Sequence, residues 1–268
     1  MIVENRVAGR EVLAGLAVHE VLAATLQVRD GVLQVLFWQR AFDPDAGRWA
    51  LPGGVLGASE DAGQSVVRQL AEKVDVREVA HVEQLGTFSD PGRMPGRRTV
   101  ATAFLGLVPC VADPALPEDT AWHPVAELPA TAFDHGAIVL RARDRLRAKL
   151  SYTNLGFALA PPEFTVSSLR GLYTAALGHR VSATNLQRVL TRRGVLVPTG
   201  GTAAPGPSGG RPAAIYRFAE RSIRVTDPFA VLRPPGKDPA PEEAPSVREV
   251  SSVREAPSVR EAAGAGSP

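Results

Sequence analysis

The chain has a single cysteine in 268 residues. No internal disulfide can form, so the sequence fits a reducing compartment. Cys110 reads as a small buried hydrophobe rather than a nucleophile. No apolar run approaches the roughly 20 residues that a membrane-spanning helix needs. Residues Met1 to Arg6 lack the basic-then-apolar order of a secretory signal, and His19 and Glu20 interrupt the apolar stretch that follows. A cytoplasmic protein with no membrane partner is the expectation. A strong net charge is missing too, with 30 Lys and Arg set against 28 Asp and Glu.

That small net charge conceals a division. Residues 1–150 hold 16 Lys and Arg against 19 Asp and Glu, residues 151–232 hold 9 against 3, and residues 233–268 hold 5 against 6. The positive excess sits in one segment, which is where nucleic acid is to be considered. In residues 1–150, Val18–Val28 and Val32–Gln39 are strand-like runs joined by Arg29-Asp30-Gly31, a hairpin signal. A short strand and loop at Trp49–Gly54 precede a helix that starts at Ala62, with Asp61 as its cap and Gln64 completing a capping box. Glu83–Phe88 and Thr99–Val108 read as strands around a turn-rich loop, and a helix runs from about Phe133 to Leu150, bounded by Thr131. Mixed strands with two helices predict an α/β/α sandwich.

From Ser151 the character changes. A helix over Ser167–Leu177 is stopped by Gly178, and a second over Ala183–Arg193 is capped by Ser182 and stopped by Gly194. Val195–Val197 and Ala214–Phe218 then read as a hairpin with a Gly- and Pro-rich tip, Pro198 to Pro212. Helix, turn, helix and hairpin make a winged helix-turn-helix over residues 151–232. The second helix buries a stripe of Leu186, Val189 and Leu190. Its other face offers Thr184, Asn185, Gln187, Arg188, Thr191 and Arg192, with Arg193 at the end. Asn and Gln pair with adenine edges and Arg with guanine, while Arg192 and Arg193 suit phosphates equally well. Arg211, in the wing, suits a minor groove. Residues 233–268 repeat Ser-Val-Arg-Glu three times, lack aromatics and mix both charges, which predicts a disordered low-complexity tail.

The motif that carries chemistry spans Gly54 to Val76, as Gly54-x5-Glu60-x7-Arg68-Gln69-Leu70-Ala71-Glu72-Lys73-Val74-Asp75-Val76. It resembles the Nudix box, G-x5-E-x7-R-E-U-x-E-E-x-G-U, with U a bulky apolar residue, and Trp49-Ala50-Leu51-Pro52-Gly53-Gly54 precedes it as in Nudix proteins. Positions 69, 72 and 73 share one helix face. Three carboxylates there would gather Mg²⁺ against a pyrophosphate. In this chain Gln69 is neutral and Lys73 cancels Glu72, so the face falls from a formal −3 to 0. Lys73 repels a divalent cation but can contact phosphate directly. The expectation is a site that keeps its ligand and loses its reaction. Asp75 replaces the glycine expected after the helix, a substitution the left-handed turn tolerates because Asp visits that conformation more readily than most residues.

A Nudix domain followed by a winged helix resembles the Nudix-related transcriptional regulators of bacterial NAD metabolism, the NrtR type. The resemblance rests on Trp49–Gly54, Phe88-Ser89-Asp90-Pro91-Gly92-Arg93, Ala132-Phe133-Asp134-His135, Tyr152–Phe157, Pro161-Pro162-Glu163-Phe164-Thr165, and Gly210-Arg211-Pro212 with Tyr216-Arg217-Phe218. It implies a homodimeric repressor of NAD-synthesis or salvage genes that binds double-stranded operator DNA. Its Nudix domain would bind ADP-ribose or a related NAD metabolite, which releases the DNA, with no cofactor. The implied ligand site lies between the Gly53–Gly54 loop, the Nudix helix and the Phe88–Arg98 loop. There Arg40, Lys73, Arg93, Arg97 and Arg98 are candidates for phosphate or ribose, and Phe88 for stacking on adenine. His135 reads as a structural residue near the domain junction. Two alternatives stand beside this reading. One is an active ADP-ribose pyrophosphatase using Glu60 and Glu72 as surviving metal ligands; the other is a DNA-binding module whose Nudix domain only dimerises.

Overall fold

A computed structural model of the protein describes residues 17–204 and 212–227. Arg211, most of the wing tip and the tail 233–268 lie outside those residues.

Strand β1 (Val18–Arg29) is the centre of the first part. It turns through Asp30 and Gly31, both at positive φ, into β2 (Val32–Gln39). Two such residues form the primed turn whose twist matches the flanking strands. On its other edge β1 runs parallel to β6 (Thr99–Leu107), which pairs antiparallel with β5 (His81–Phe88). The short β3 (Trp49–Ala50) and β7 (Thr120–Pro124) extend β2, and β4 (Gly53–Val55) pairs with β1. Almost every residue of β1 is buried, because the sheet is covered on both faces. Alternate residues go to opposite sides. Leu22, Ala24, Leu26 and Val28 join Ile138, Val139, Ala142 and Leu146 in one core. Val21 and Ala23 join Val66, Leu70 and Val74 in the other. The helices supplying these residues are α1 (Ala62–Val74) and α2 (His135–Tyr152), which complete the α/β/α sandwich.

The capping box of α1 forms as expected. Gln64 N–H donates to Asp61 Oδ1 at 2.8 Å, and Asp61 N–H to Gln64 Oε1 at 3.0 Å. Asp75 closes the helix at φ 52, ψ 29, in the left-handed region. Helix α2 starts two residues later than the sequence suggests. Phe133 has φ 50, which holds it out of the helix, and Asp134 at the N-cap makes no capping bond.

The second part follows a 3-10 turn, Leu155–Ala158. Helix α3 (Val166–Leu177) is capped by Thr165 in a box with Ser168 and ends at Gly178, φ 78. Helix α4 (Ala183–Arg192) starts at Ser182. Strands β9 (Leu196–Ala203) and β10 (Ala213–Phe218) form the wing, and β8 (Phe164–Thr165) pairs with β10. Helix-turn-helix and wing are therefore present. One apolar core runs through both parts: the core that holds Ile138 and Leu146 continues through Leu155, Phe157, Leu169 and Tyr173 to Leu186, Leu190 and Phe218.

The Asp75 turn generates a stability prediction. A non-glycine residue in the left-handed region costs about 1–2 kcal/mol, and glycine recovers less than that because it loosens the unfolded chain. Asp75→Gly should therefore leave stability unchanged or raise it by up to about 1 kcal/mol. Asp75→Val should lower it by about 1 kcal/mol or more. Urea unfolding monitored by circular dichroism checks both.

Candidate functional site

A cavity of about 380 Å³ opens on the sheet beside α1, within the usual size of a small-molecule site. Gly53 and Gly54 form part of its wall. A Cβ on Gly53 would lie 2.1 Å from the Val21 carbonyl oxygen, and one on Gly54 would lie 2.7 Å from Gln69 Nε2. At Gly53 the backbone can pass only without a side chain, whereas at Gly54 the Gln69 side chain would have to move. Lys73, in the last turn of α1, donates from Nζ to the Gly53 carbonyl and lies 5.9 Å from the Trp38 ring. Burial, and then the nearby Arg68 charge, hold its pKa below the usual lysine value.

The opposite wall is built from three loops. The β2–β3 loop gives Arg40 and Pro44, the β5–β6 loop gives Met94, Pro95 and Arg97, and the start of α2 gives Phe133 and His135. Arg40 donates from Nε to the Pro44 carbonyl at 3.0 Å, and its guanidinium lies 4.9 Å over the Phe133 ring. Phe133 N–H donates to Asp45 Oδ2 at 3.0 Å. A bulky residue at positive φ is a genuine outlier, and such strain concentrates at ligand clamps and active sites. The His135 ring is buried, and its Nδ1 accepts the Leu51 N–H at 2.9 Å. Burial pushes its pKa down to about 4, so the ring is neutral with its hydrogen on Nε2. That N–H has no hydrogen-bond partner among the described residues.

Of the residues expected at a ligand site, Arg40, Gly53, Gly54, Lys73 and Arg97 line this one cavity. Phe88, Arg93 and Arg98 do not. The Arg93 side chain is 1% exposed and fully engaged, with Nη1 donating to Glu20 at 2.5 Å and Nη2 to Asp134 at 2.8 Å. Phe88 packs on the core with Arg141 over its ring at 5.6 Å. Arg98 donates to the Ser89 carbonyl at 2.8 Å and so closes its own loop. Phe133 and His135 were missed as cavity residues. No periodicity marks them, and only a loop folding back to the sheet brings them there.

The residues at the Nudix positions do not fit a divalent cation. Glu60 accepts two bonds from Arg68, at 2.6 and 2.9 Å, and a third from Gly57 N–H. The Arg68 hydrogen bond, chiefly, pushes its pKa down to about 2. Glu72 accepts from Arg68 as well, at 2.9 Å. Gln69 is buried against Gly54, and the Lys73 ammonium occupies the Gly53 carbonyl. Among the described residues no group of three His, Cys, Asp or Glu side chains is placed to hold a metal ion.

On α4, Leu186 and Leu190 are buried, and Thr184, Asn185, Arg188, Thr191 and Arg192 are exposed on the outer face. Arg188 donates to Asn185 Oδ1 at 2.7 Å, so the two pre-orient each other. Gln187 is turned to the wing, where Nε2 donates to Tyr216 Oη at 2.8 Å. Arg193 departs from expectation. It points inward, donating to the Ser151 carbonyl at 2.8 Å and to Asp227 at 2.7 Å, so its charge is compensated within the protein.

Residues 19–142 match the NUDIX domain model, and residues 156–218 match the model of the NrtR DNA-binding winged helix domain. The ADPR responsive transcriptional repressor NtrR of Acinetobacter baylyi is 30% identical over 203 residues, which are 73% of this chain and 80% of that protein. The chain belongs to the NrtR family. Two crystal structures of Shewanella oneidensis NrtR agree with this. One is 32% identical with a TM-score of 0.65, covering 75% of this chain and 94% of that one. The other, complexed with a 27mer DNA, is 30% identical with a TM-score of 0.63, covering 74% and 92%.

Within this NrtR-family chain, the buried Arg93 generates a prediction. Truncating one partner of a buried ion pair leaves uncompensated charge and costs about 3–5 kcal/mol. Arg93→Ala should be destabilised by about that much, because Glu20 and Asp134 are both stranded. Arg97→Ala, at the cavity rim, should stay within about 0.5 kcal/mol of the parent. Paired urea titrations separate the two.

Proposed function

We propose that this chain is a DNA-binding transcriptional repressor of NAD metabolism genes. In this reading residues 1–150 sense ADP-ribose or a related NAD metabolite, residues 151–232 read operator DNA as a homodimer, and the ligand releases the DNA. The observation that carries it is one continuous helix. The first turn of α2 lines the cavity through His135, and its last turn accepts Arg193 from the end of α4 at Ser151. At 1.5 Å per residue, its 18 residues span about 27 Å. A change at one end is thereby delivered to the recognition helix at the other. The repressor of Acinetobacter baylyi named for its response to ADP-ribose, and the Shewanella oneidensis protein crystallised on DNA, support both halves of the reading.

The ligand class follows from the cavity. Lys73, Arg40 and Arg97 supply positive charge for phosphates, and the strained Phe133 supplies an aromatic face for a base. Hydrolysis is absent from the proposal, because Gln69 and Lys73 remove the hard oxygen ligands that Mg²⁺ requires. A gel-shift titration on operator DNA tests it, with ADP-ribose, NAD and arabinose side by side. ADP-ribose should lower DNA affinity, and a hundredfold effect corresponds to about 2.7 kcal/mol of coupling. ADP-ribose with Mg²⁺ or Mn²⁺ should yield no AMP. Turnover on the order of 1 s⁻¹ would favour the pyrophosphatase instead.

The inward Arg193 sharpens the DNA half. Arg188→Ala should cost about 1–3 kcal/mol on the operator and relax the preference at one base pair. Arg192→Ala should weaken all sequences alike and reduce the salt slope by about one ion. Arg193→Ala should leave the salt slope unchanged while lowering stability and weakening the response to ADP-ribose. Binding isotherms at several salt concentrations check all three.

A further inference from the structure

A second cavity, of about 390 Å³, opens between the β1–β2 turn, α2 and the end of α3. Its apolar surface includes Val32, Leu33 and Val125, and its charged side holds Arg143, Arg147 and Arg180. Arg143 and Arg147 lie one turn apart on α2, an arrangement in which like charges repel. Among the described residues one carboxylate offsets them: Arg143 donates from Nε to Asp144 at 2.9 Å, on a side chain 62% exposed. Arg147 donates from Nε to the Ala176 carbonyl at 3.4 Å. Burial, and next the Arg143 charge, hold its pKa below the usual arginine value despite Asp144. Among the described residues, no carboxylate lies within ion-pair distance of Arg147 or Arg180.

The fold makes room for this crowding. Gly178 ends α3 at φ 78, and a Cβ there would lie 2.3 Å from Arg147 Nη2. The guanidinium is therefore seated beneath the α3 cap rather than free on the surface. Among the described residues, three guanidiniums around this concave apolar site share one exposed carboxylate, Asp144. A planar guanidinium matches phosphate in two-point geometry. We propose that this cleft is a phosphate-binding site, distinct from the cavity at Gly53. Its position between the sheet and the helix-turn-helix means that an occupant would brace one against the other. The phosphate could come from a small phosphorylated molecule or from the backbone of DNA lying along α4.

The test uses the full chain. Inorganic pyrophosphate is titrated calorimetrically into the parent and into Arg143→Ala/Arg147→Ala, with Arg40→Ala/Arg97→Ala as the control for the other cavity. In parallel, the salt dependence of operator binding is measured for each. Saturable binding that weakens at least tenfold in the α2 variant and persists in the control establishes a site for free phosphate. A DNA salt slope that falls by about one to two ions in the α2 variant, without pyrophosphate binding, assigns the site to the DNA backbone. If the α2 variant changes neither pyrophosphate binding nor the salt slope, the proposal is overturned. Arg180→Ala, on an exposed turn, gives the same readouts should the double variant fail to fold.

Discussion

The cavity at Gly53 depends on the two ion pairs of Arg93. This side chain leaves the β5–β6 loop, enters the protein and holds Glu20 on β1 and Asp134 at the start of α2. A buried guanidinium is tolerable only when its charge and its donors are both matched, and two carboxylates achieve that. The consequences spread outward. Asp134 is drawn to Arg93 and makes no capping bond to α2. The loop that carries Met94, Pro95 and Arg97 is pinned to the sheet at one point, so these residues become a wall of the cavity. Phe133, next to Asp134, stands at positive φ, and its N–H donates to Asp45. Arg93, expected from the sequence to line the cavity, is paired instead with Glu20 and Asp134 beneath its wall.

The same inversion occurs on the Nudix helix. Arg68 gathers Glu60 and Glu72, so Glu60 braces the loop before α1 and Glu72 pairs along the helix, and neither lines the cavity. Lys73 reaches back to the Gly53 carbonyl and brings an ammonium to the cavity wall. A fixed cation of this kind favours a phosphate without supplying the Lewis acidity needed to cleave one. Binding and hydrolysis are separable because they need different things from these positions.

What the sequence made legible follows from local physics. The β1–β2 turn, the Asp61–Gln64 capping box, the left-handed Asp75 and the Gly178 stop each depend on a few adjacent residues, and each stands where the sequence places it. Strands β7 and β8 were not legible. The first is five residues long and ends in proline; the second is two residues, too short for any periodicity. The cavity was half legible. Gly53, Gly54 and Lys73 sit in a motif with fixed spacing, whereas Phe133 and His135 reach it through a fold-back of more than seventy residues. Most of the outer face of α4 followed from its 3.6-residue period, although Gln187 turns to Tyr216 in the wing. Arg193 did not, because it lies at the helix end, where periodicity no longer fixes direction, and its partners Ser151 and Asp227 are distant in sequence.

In the proposed function, coupling between ligand and DNA is a matter of how the two parts are joined. A flexible linker would let α4 ignore the cavity, since a ligand shifts an equilibrium only by its differential affinity for two states. Here the apolar core passes from Ile138 and Leu146 through Phe157 to Leu186, and Arg193 ties the end of α4 to the end of α2. Close-packed cores shift between discrete arrangements rather than deform smoothly. In the proposed reading, small rearrangements of Phe133 and His135 around a ligand move α2 as a body, and α4 with it. In that reading Phe133 is the place for such a switch, because a bulky residue at φ 50 costs on the order of 1–3 kcal/mol. That is comparable to the coupling a hundredfold change in DNA affinity requires, so relief of strain at one loop could supply much of the signal.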